Sequence, residues 1–209
     1  MGVPVLIMGE SGSGKTYSLK NFEEHEVLVL KVGGKNFPFQ KQLDNINNAS
    51  YDHIACALKE AKYKAYVIDD SQYLLTFEMF DRAKETGYNK FTDIAQRFYK
   101  MLKYIVTGTT SDTIVYLLHH VEQTDTGRIK AKTVGKMLDN LLTVEGLFDI
   151  VLLTQVVSDE HKFITQSDGY TTCKSPENMF EKEIKNDLKA VDTRIREYWK
   201  LDKKGEQKK

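Results

Sequence analysis

The chain has little cysteine, with two residues in 209, Cys56 and Cys173. Two thiols so far apart form neither a disulfide framework nor a C-x-x-C metal pair, and they fit a reducing compartment. Excess charge of either sign is also missing, since 30 Lys and Arg balance 30 Asp and Glu. Bulk attraction to nucleic acid or an anionic membrane is thereby excluded, and any such contact has to come from a local patch. No apolar run approaches the roughly 18 residues of a membrane span. The N-terminus lacks a basic stretch ahead of its apolar residues, so we read no signal peptide and expect a cytoplasmic protein. No internal repeat is visible. The first strand starts at Pro4, so we expect neither an N-terminal domain nor a polymerisation arm. By length the chain reads as a single domain over 1–209, its last part (190–209) a helical tail with a frayed, Lys-rich end.

What the chain does have is concentrated near its start. Pro4-Val5-Leu6-Ile7-Met8 reads as a buried strand, followed by Gly9-Glu10-Ser11-Gly12-Ser13-Gly14-Lys15-Thr16 and a segment with helical character. This is G-x-x-x-x-G-K-T in a strand, loop, helix setting. A triphosphate is met by successive backbone N–H groups at a helix N-terminus, and glycines let the main chain approach it. Lys15 reaches the β- and γ-phosphates, and the Thr16 hydroxyl offers an oxygen to Mg²⁺. Gly9, Glu10, Ser11, Gly12, Ser13, Gly14, Lys15, Thr16 and Tyr17 are the expected nucleotide-binding residues, with ATP as the substrate.

Further along, Val27 to Val32 reads as a buried strand and Asn36 to Asn48 as a loop packed by Phe37 and Phe39. Ser50 or Asp52 caps a helix carrying Ile54, Ala55, Leu58 and Ala61. Ala65 to Ile68 is a second buried strand that ends in Asp69-Asp70. A carboxylate at such an end is the companion that a phosphate loop requires, so Asp69 is the expected Mg²⁺ residue and Asp70 the candidate for orienting the attacking water. Helices are expected over Leu74 to Ala83 and Phe91 to Val106, the second with an ordinary core-facing stripe. The strand Thr113 to Leu118 ends in His119-His120. We expect His119 to sense the γ-phosphate or the water, with His120 on the opposite face.

Glu122 to Lys132 reads as a polar loop. Arg128, Lys130 and Lys132, at alternate positions, can face one anion together: a neighbouring subunit's γ-phosphate or a nucleic-acid backbone. A solvated basic loop is the plain alternative. Val134 to Thr143 reads as a helix and Phe148 to Val157 as the last strongly apolar strand. Lys162 to Gln166 and Tyr170 to Lys174 form an expected β-hairpin around Asp168-Gly169. Ser175 to Asp187 reads as a helical tail, followed by a segment with Val191, Ile195, Tyr198 and Trp199 on one stripe. Strands alternating with helices make an α/β fold: a mostly parallel sheet flanked by helices, its ligand at the carboxyl ends of the strands.

The chain resembles the RecA-like branch of P-loop NTPases. More narrowly, it is similar to small phage-encoded AAA-type ATPases related to RecA-like single-strand annealing proteins. The resemblance rests on Gly9 to Thr16, Tyr66 to Asp69, Tyr116-Leu117-Leu118-His119, Lys132 to Leu138 and Glu145 to Phe148. Lys174-Ser175-Pro176, Met179-Phe180, Asn186-Asp187-Leu188 and Arg196-Glu197-Tyr198 complete it, so it spans nearly the whole chain. It implies a sheet with the His119 strand between the phosphate-loop and Asp69 strands. It also implies ATP with Mg²⁺, and a role in phage DNA recombination or replication in the bacterial host cytoplasm. Single-stranded DNA, further copies of the chain and a recombination or replication protein are the partners it suggests. One departure is plain: RecA carries its catalytic glutamate at the end of the second strand, where this chain has Lys31 and Val32. Hydrolysis then leans on Asp70 or is slow. Two functions of different class follow, an ATPase that gates single-stranded DNA binding or annealing, and a nucleotide-dependent adaptor that hydrolyses little. Kinase-type transfer is disfavoured by the want of an arginine-rich lid segment.

Overall fold

The computed structural model describes residues 2–133 and 143–201. The helix expected over Val134 to Thr143, apart from Thr143, and the Lys-rich end lie outside the described residues. Among the described residues nine strands form the sheet: β1 (Val3–Gly9), β2 (Val27–Lys31), β3 (Asn45–Asn47), β4 (Ala65–Asp69), β5 (Ile114–Gln123), β6 (Ile129–Ala131), β7 (Ile150–Val157), β8 (Glu160–Ile164) and β9 (Glu183–Lys185). The order is β3-β2-β4-β5-β1-β7-β8-β9, with β6 paired to β5. Pairing is parallel from β3 through β7 and antiparallel for β8, β9 and β6. β5, which carries His119, thus lies between β4 and β1, as the resemblance implied.

Parallel strands require crossovers, and the crossovers cover both faces, so the central strands are apolar on both sides. Along β1, Leu6 and Met8 face one core together with Tyr66, Ile68, Val115 and Leu117. That core is closed by α1 (Tyr51–Glu60) and α3 (Asn89–Gly108), which contribute Ile54, Leu58, Phe98 and Leu102, with Leu74 and Leu75 of α2 (Tyr73–Asp81). Val5 and Ile7 face the other core with Val29, Val67, Tyr116 and Leu118. Leu19, Phe22 and α4 (Leu188–Trp199) close it.

Several local expectations are corrected. The helix after the phosphate loop is a short 3-10 helix, Thr16–Asn21. The loop before α1 contains β3, which extends the sheet by pairing with β2. Glu122 to Lys132 is a hairpin: β5 runs on to Gln123 and pairs with β6, with Lys130 opposite Glu122. The last hairpin joins β7 and β8 through Ser158-Asp159, not Asp168-Gly169. Both turn residues have positive φ (51° and 64°), the backbone that matches strand twist in a two-residue turn. Asp168 instead accepts hydrogen bonds from the Tyr170 and Thr171 amides in a loop. The stretch from Ser175 to Asp187 is not helical. It supplies β9, which satisfies the outer edge of β8.

The far end of the sheet is pinned by α4. Asp187 caps the helix by accepting from Ala190 N at 3.1 Å. Arg196 donates from Nε to Asp192 Oδ2 (2.6 Å), and its Nη atoms reach the carbonyls of Asp112 (2.9 Å) and Lys64 (2.8 Å), just before β5 and β4. Tyr116 Oη, fully buried, donates to Asp192 Oδ1 at 2.9 Å. Removing the guanidinium leaves a buried carboxylate with no cation, a change that typically costs about 3–5 kcal/mol. We expect Arg196→Met to lose about that much in urea unfolding, and Tyr116→Phe only about 1 kcal/mol. A loss below about 1 kcal/mol in Arg196→Met would overturn this account.

Candidate nucleotide-binding site

The loop after β1 curls back on itself. Lys15 Nζ donates to the carbonyls of Gly9 and Glu10, both at 2.9 Å, and Ser13 Oγ donates to Glu10 O at 2.8 Å. Ser13 and Thr154 hydroxyls meet at 2.5 Å, and Thr154 donates to Met8 O, which ties the loop to β7. Gly9 and Gly14 are required by their surroundings. A Cβ on Gly9 would collide with the Thr154 and Ser13 hydroxyls, and Gly14 has φ of +101° with His161 packed on it.

A cavity of ≈ 350 Å³ opens above this loop, lined by Ser11, Gly12, Gly14, Lys15, Thr16 and Tyr17 and, from other strand ends, Lys35, Asp69, Asp70, His120 and His161. Thr16 Oγ1 donates to Asp69, 3.0 and 3.2 Å from its two oxygens. Burial, then the neighbouring Asp70, pushes the Asp69 carboxyl up to about 6. Burial also works to raise Asp70, but hydrogen bonds with His120 and Lys35 outweigh it and hold that carboxyl down at about 2. Lys35 Nζ lies 2.9 Å and His120 Nε2 3.2 Å from the two Asp70 oxygens. Asp70 itself has φ of +58°, a left-handed conformation that Asp tolerates better than most residues, and it turns the chain from β4 toward α2. Burial pulls the Lys15 ammonium below its ordinary value, opposed by Asp70 and Asp69.

A hydroxyl beside a nearly buried carboxylate is a hard-oxygen donor pair of the kind that Mg²⁺ takes, so Thr16 and Asp69 fit that ion. With Lys15, the loop amides and Lys35, the arrangement can hold a polyphosphate.

The structure brings together Gly9 to Tyr17, Asp69 and Asp70. It does not bring His119. That ring is fully buried, with Nδ1 2.8 Å from Ser71 Oγ and Nε2 2.7 Å from Lys132 O, and it packs on Phe98. Alternation along β5 places it on the α3 face, and His120 takes the position at the cavity. Burial lowers the His119 pKa to about 4, so it stays neutral. Arg128 and Lys132 are exposed, whereas Lys130 pairs with Glu122 at 2.8 Å across the hairpin, so the three do not form one free cationic row. Lys132 borders a second cleft with Glu10, Ser11 and His120. Sequence reasoning missed Lys35, His120 and His161. The rule that ligands sit at carboxyl ends of parallel strands points to Lys35, just beyond Gly33-Gly34 at the end of β2. His161 had no such signal, since its strand is antiparallel.

Two comparisons with known proteins bear on this geometry. A stretch of 85 residues, 41% of the chain, is 34% identical to the human E3 ubiquitin-protein ligase RNF213, of whose length the chain spans 2%. The model of the AAA domain family matches residues 1–183. The chain therefore belongs to the AAA domain family, whose members are generally nucleotide-binding ATPases.

Proposed function

We propose that the chain is a Mg²⁺-dependent ATPase whose nucleotide state governs contact with single-stranded DNA, in phage recombination or replication as its resemblance suggests. The observation that carries the gating is the wiring of the β5 tip. The His120 ring contacts Asp70 at the cavity, while its backbone carbonyl accepts from Lys132 N at 2.9 Å and the His119 ring meets Lys132 O. One residue thus touches the phosphate end and the basic hairpin carrying Arg128, Lys130 and Lys132. A γ-phosphate that competes for Lys35 and His120 shifts the tip and, through it, the hairpin.

In this reading Lys15 stabilises charge on the transferred phosphoryl group, Thr16 and Asp69 hold Mg²⁺, and Asp70 orients water once Lys35 turns to the phosphate. The ion, when bound, neutralises charge between the β- and γ-phosphates. A second reading, a nucleotide-dependent adaptor with little turnover that docks a recombination or replication protein, is favoured by one observation. The candidate for orienting water, Asp70, is engaged by both Lys35 and His120, and Lys31 and Val32 stand where RecA has its glutamate.

We expect Mg²⁺-dependent ATP hydrolysis that single-stranded DNA stimulates at low salt and less at moderate salt, because phosphate contacts release counterions. Lys15→Ala should lower turnover about 100-fold; turnover at the wild-type rate would end the ATPase reading. ATP binding with no response of hydrolysis to DNA would favour the adaptor. His120→Ala should keep ATP binding within about threefold yet lose the DNA response, and an intact DNA response in that variant would remove the gating route.

Asp69 supplies a separate check in the metal-free protein. Its folded pKa, about 6, stands above the 3.8 of a free carboxyl, so the folded state binds this proton more tightly than the unfolded chain. The penalty grows as pH rises from 3.8 through 6 and is complete above it, about 3 kcal/mol for about two units. Urea unfolding in EDTA should therefore find Asp69→Asn more stable than wild type at pH 7.5, the gain shrinking to nothing near pH 4. The same gain at both pH values would contradict a buried-charge cause.

A further inference from the structure

The cavity has two chemically different ends. Lys15, Lys35, Asp69, Asp70 and His120 make one of them charged, whereas Tyr17 and His161 make the other aromatic, with ring centroids 5.7 Å apart and planes tilted by 45°. Behind the aromatic end sits Asn186, directly after β9, only 6% exposed. Both its Oδ1 and Nδ2 are buried with no hydrogen-bond partner among the described residues. A buried amide without partners costs about 1–3 kcal/mol per group, so its place in a folded chain calls for a cause.

The surroundings supply one. Asn186 Oδ1 is 3.4 Å from the point a Cβ would occupy on Gly14, and His161 Nδ1 is 2.7 Å from that same point. Amide and imidazole therefore converge over the glycine of the phosphate loop that lines the cavity. The His161 ring is half-buried and hydrogen-bonded to Ser13 O at 2.9 Å, so it stands as a side wall between cavity and amide. The residue after Asn186 is fixed independently: Asp187 accepts from Asn21 Nδ2 at 2.7 Å and caps α4. The backbone next to Asn186 is thus anchored to Asn21, the last residue of the 3-10 helix that starts at Thr16.

We propose that Tyr17, His161 and Asn186 form the base-reading end of the site, and that Asn186 selects adenine. The inference rests on the nucleotide reading above and names the base. A carboxamide places a donor beside an acceptor, the complement of adenine's N6 amino group and N7, whereas guanine presents two acceptors, O6 and N7, at that edge. The base stacks on Tyr17, the His161 ring turns off Ser13, and the Asn186 amide gains the two partners it lacks.

The test compares Mg²⁺-ATP, Mg²⁺-GTP and Mg²⁺-tripolyphosphate binding by titration calorimetry in wild type, Asn186→Ala, Tyr17→Leu and Lys15→Ala, with thermal melting to confirm folding. We expect wild type to bind ATP at least tenfold tighter than GTP. Asn186→Ala should lose most of that preference while binding tripolyphosphate within about twofold of wild type. Tyr17 is half-exposed, so Tyr17→Leu keeps the question open should Asn186→Ala fail to fold; it should weaken both nucleotides about tenfold and leave tripolyphosphate alone. An unchanged ATP preference in Asn186→Ala, or an equal fall for ATP and tripolyphosphate in either variant, overturns the base site. Wild-type binding of all three ligands that Lys15→Ala does not weaken overturns the nucleotide reading itself.

Discussion

The rest of the structure depends on the parallel pairing of β1 between β5 and β7. Parallel strands end along one edge, so Gly9, Asp69 and His120, from strands widely separated in sequence, emerge side by side. Backbone groups released at that edge need partners, and the phosphate loop finds them in its own Lys15 and Ser13 and in Thr154 of β7. The two cores follow from the same constraint. Crossovers must pass over the sheet, and they bury Leu6 and Met8 on one side as fully as Val5 and Ile7 on the other.

That edge gathers charge in a partly dry place. Lys15 and Lys35 face Asp69 and Asp70, and the two acids are driven apart, Asp69 up toward neutrality by burial and Asp70 down by the cations and His120 around it. The lysines are occupied as well: Lys15 rests on two carbonyls of its own loop and Lys35 on Asp70. An entering polyphosphate has to compete with these contacts. It also relieves them, since it brings the negative charge that the loop carbonyls only partly supply. The side chains that hold the loop in place are thus the same ones that line the cavity.

How much of this was legible in the sequence depends on the range of the cause. That the Gly9–Thr16 loop and Asp69 meet at one edge was readable because the cause is local: a glycine-rich turn after one apolar run and an acid at the end of another. The alternation of His119 and His120 was readable too, but which of them meets the cavity was not. That depends on which face of the sheet carries the phosphate-loop helix, a tertiary fact. The β7–β8 turn was misplaced for a similar reason. Asp168-Gly169 has the more favourable turn residues, yet pairing with β7 and β9 forces Ser158-Asp159 into the left-handed region. The stretch before α4 looked helical by composition, and it became β9 because β8 would otherwise have an open edge.

The histidine tip is where these levels meet. His119, neutral and bonded at both nitrogens, fastens the end of β5 to Ser71 on one side and to Lys132 on the other. Its neighbour His120 presents its ring to Asp70 from the opposite face of the same strand. Adjacent residues of a strand project to opposite faces, so the two rings reach different surroundings from one stretch of backbone. The hairpin is bonded to the same strand tip through Lys132, which ties the cavity wall and the basic hairpin to one short stretch of backbone.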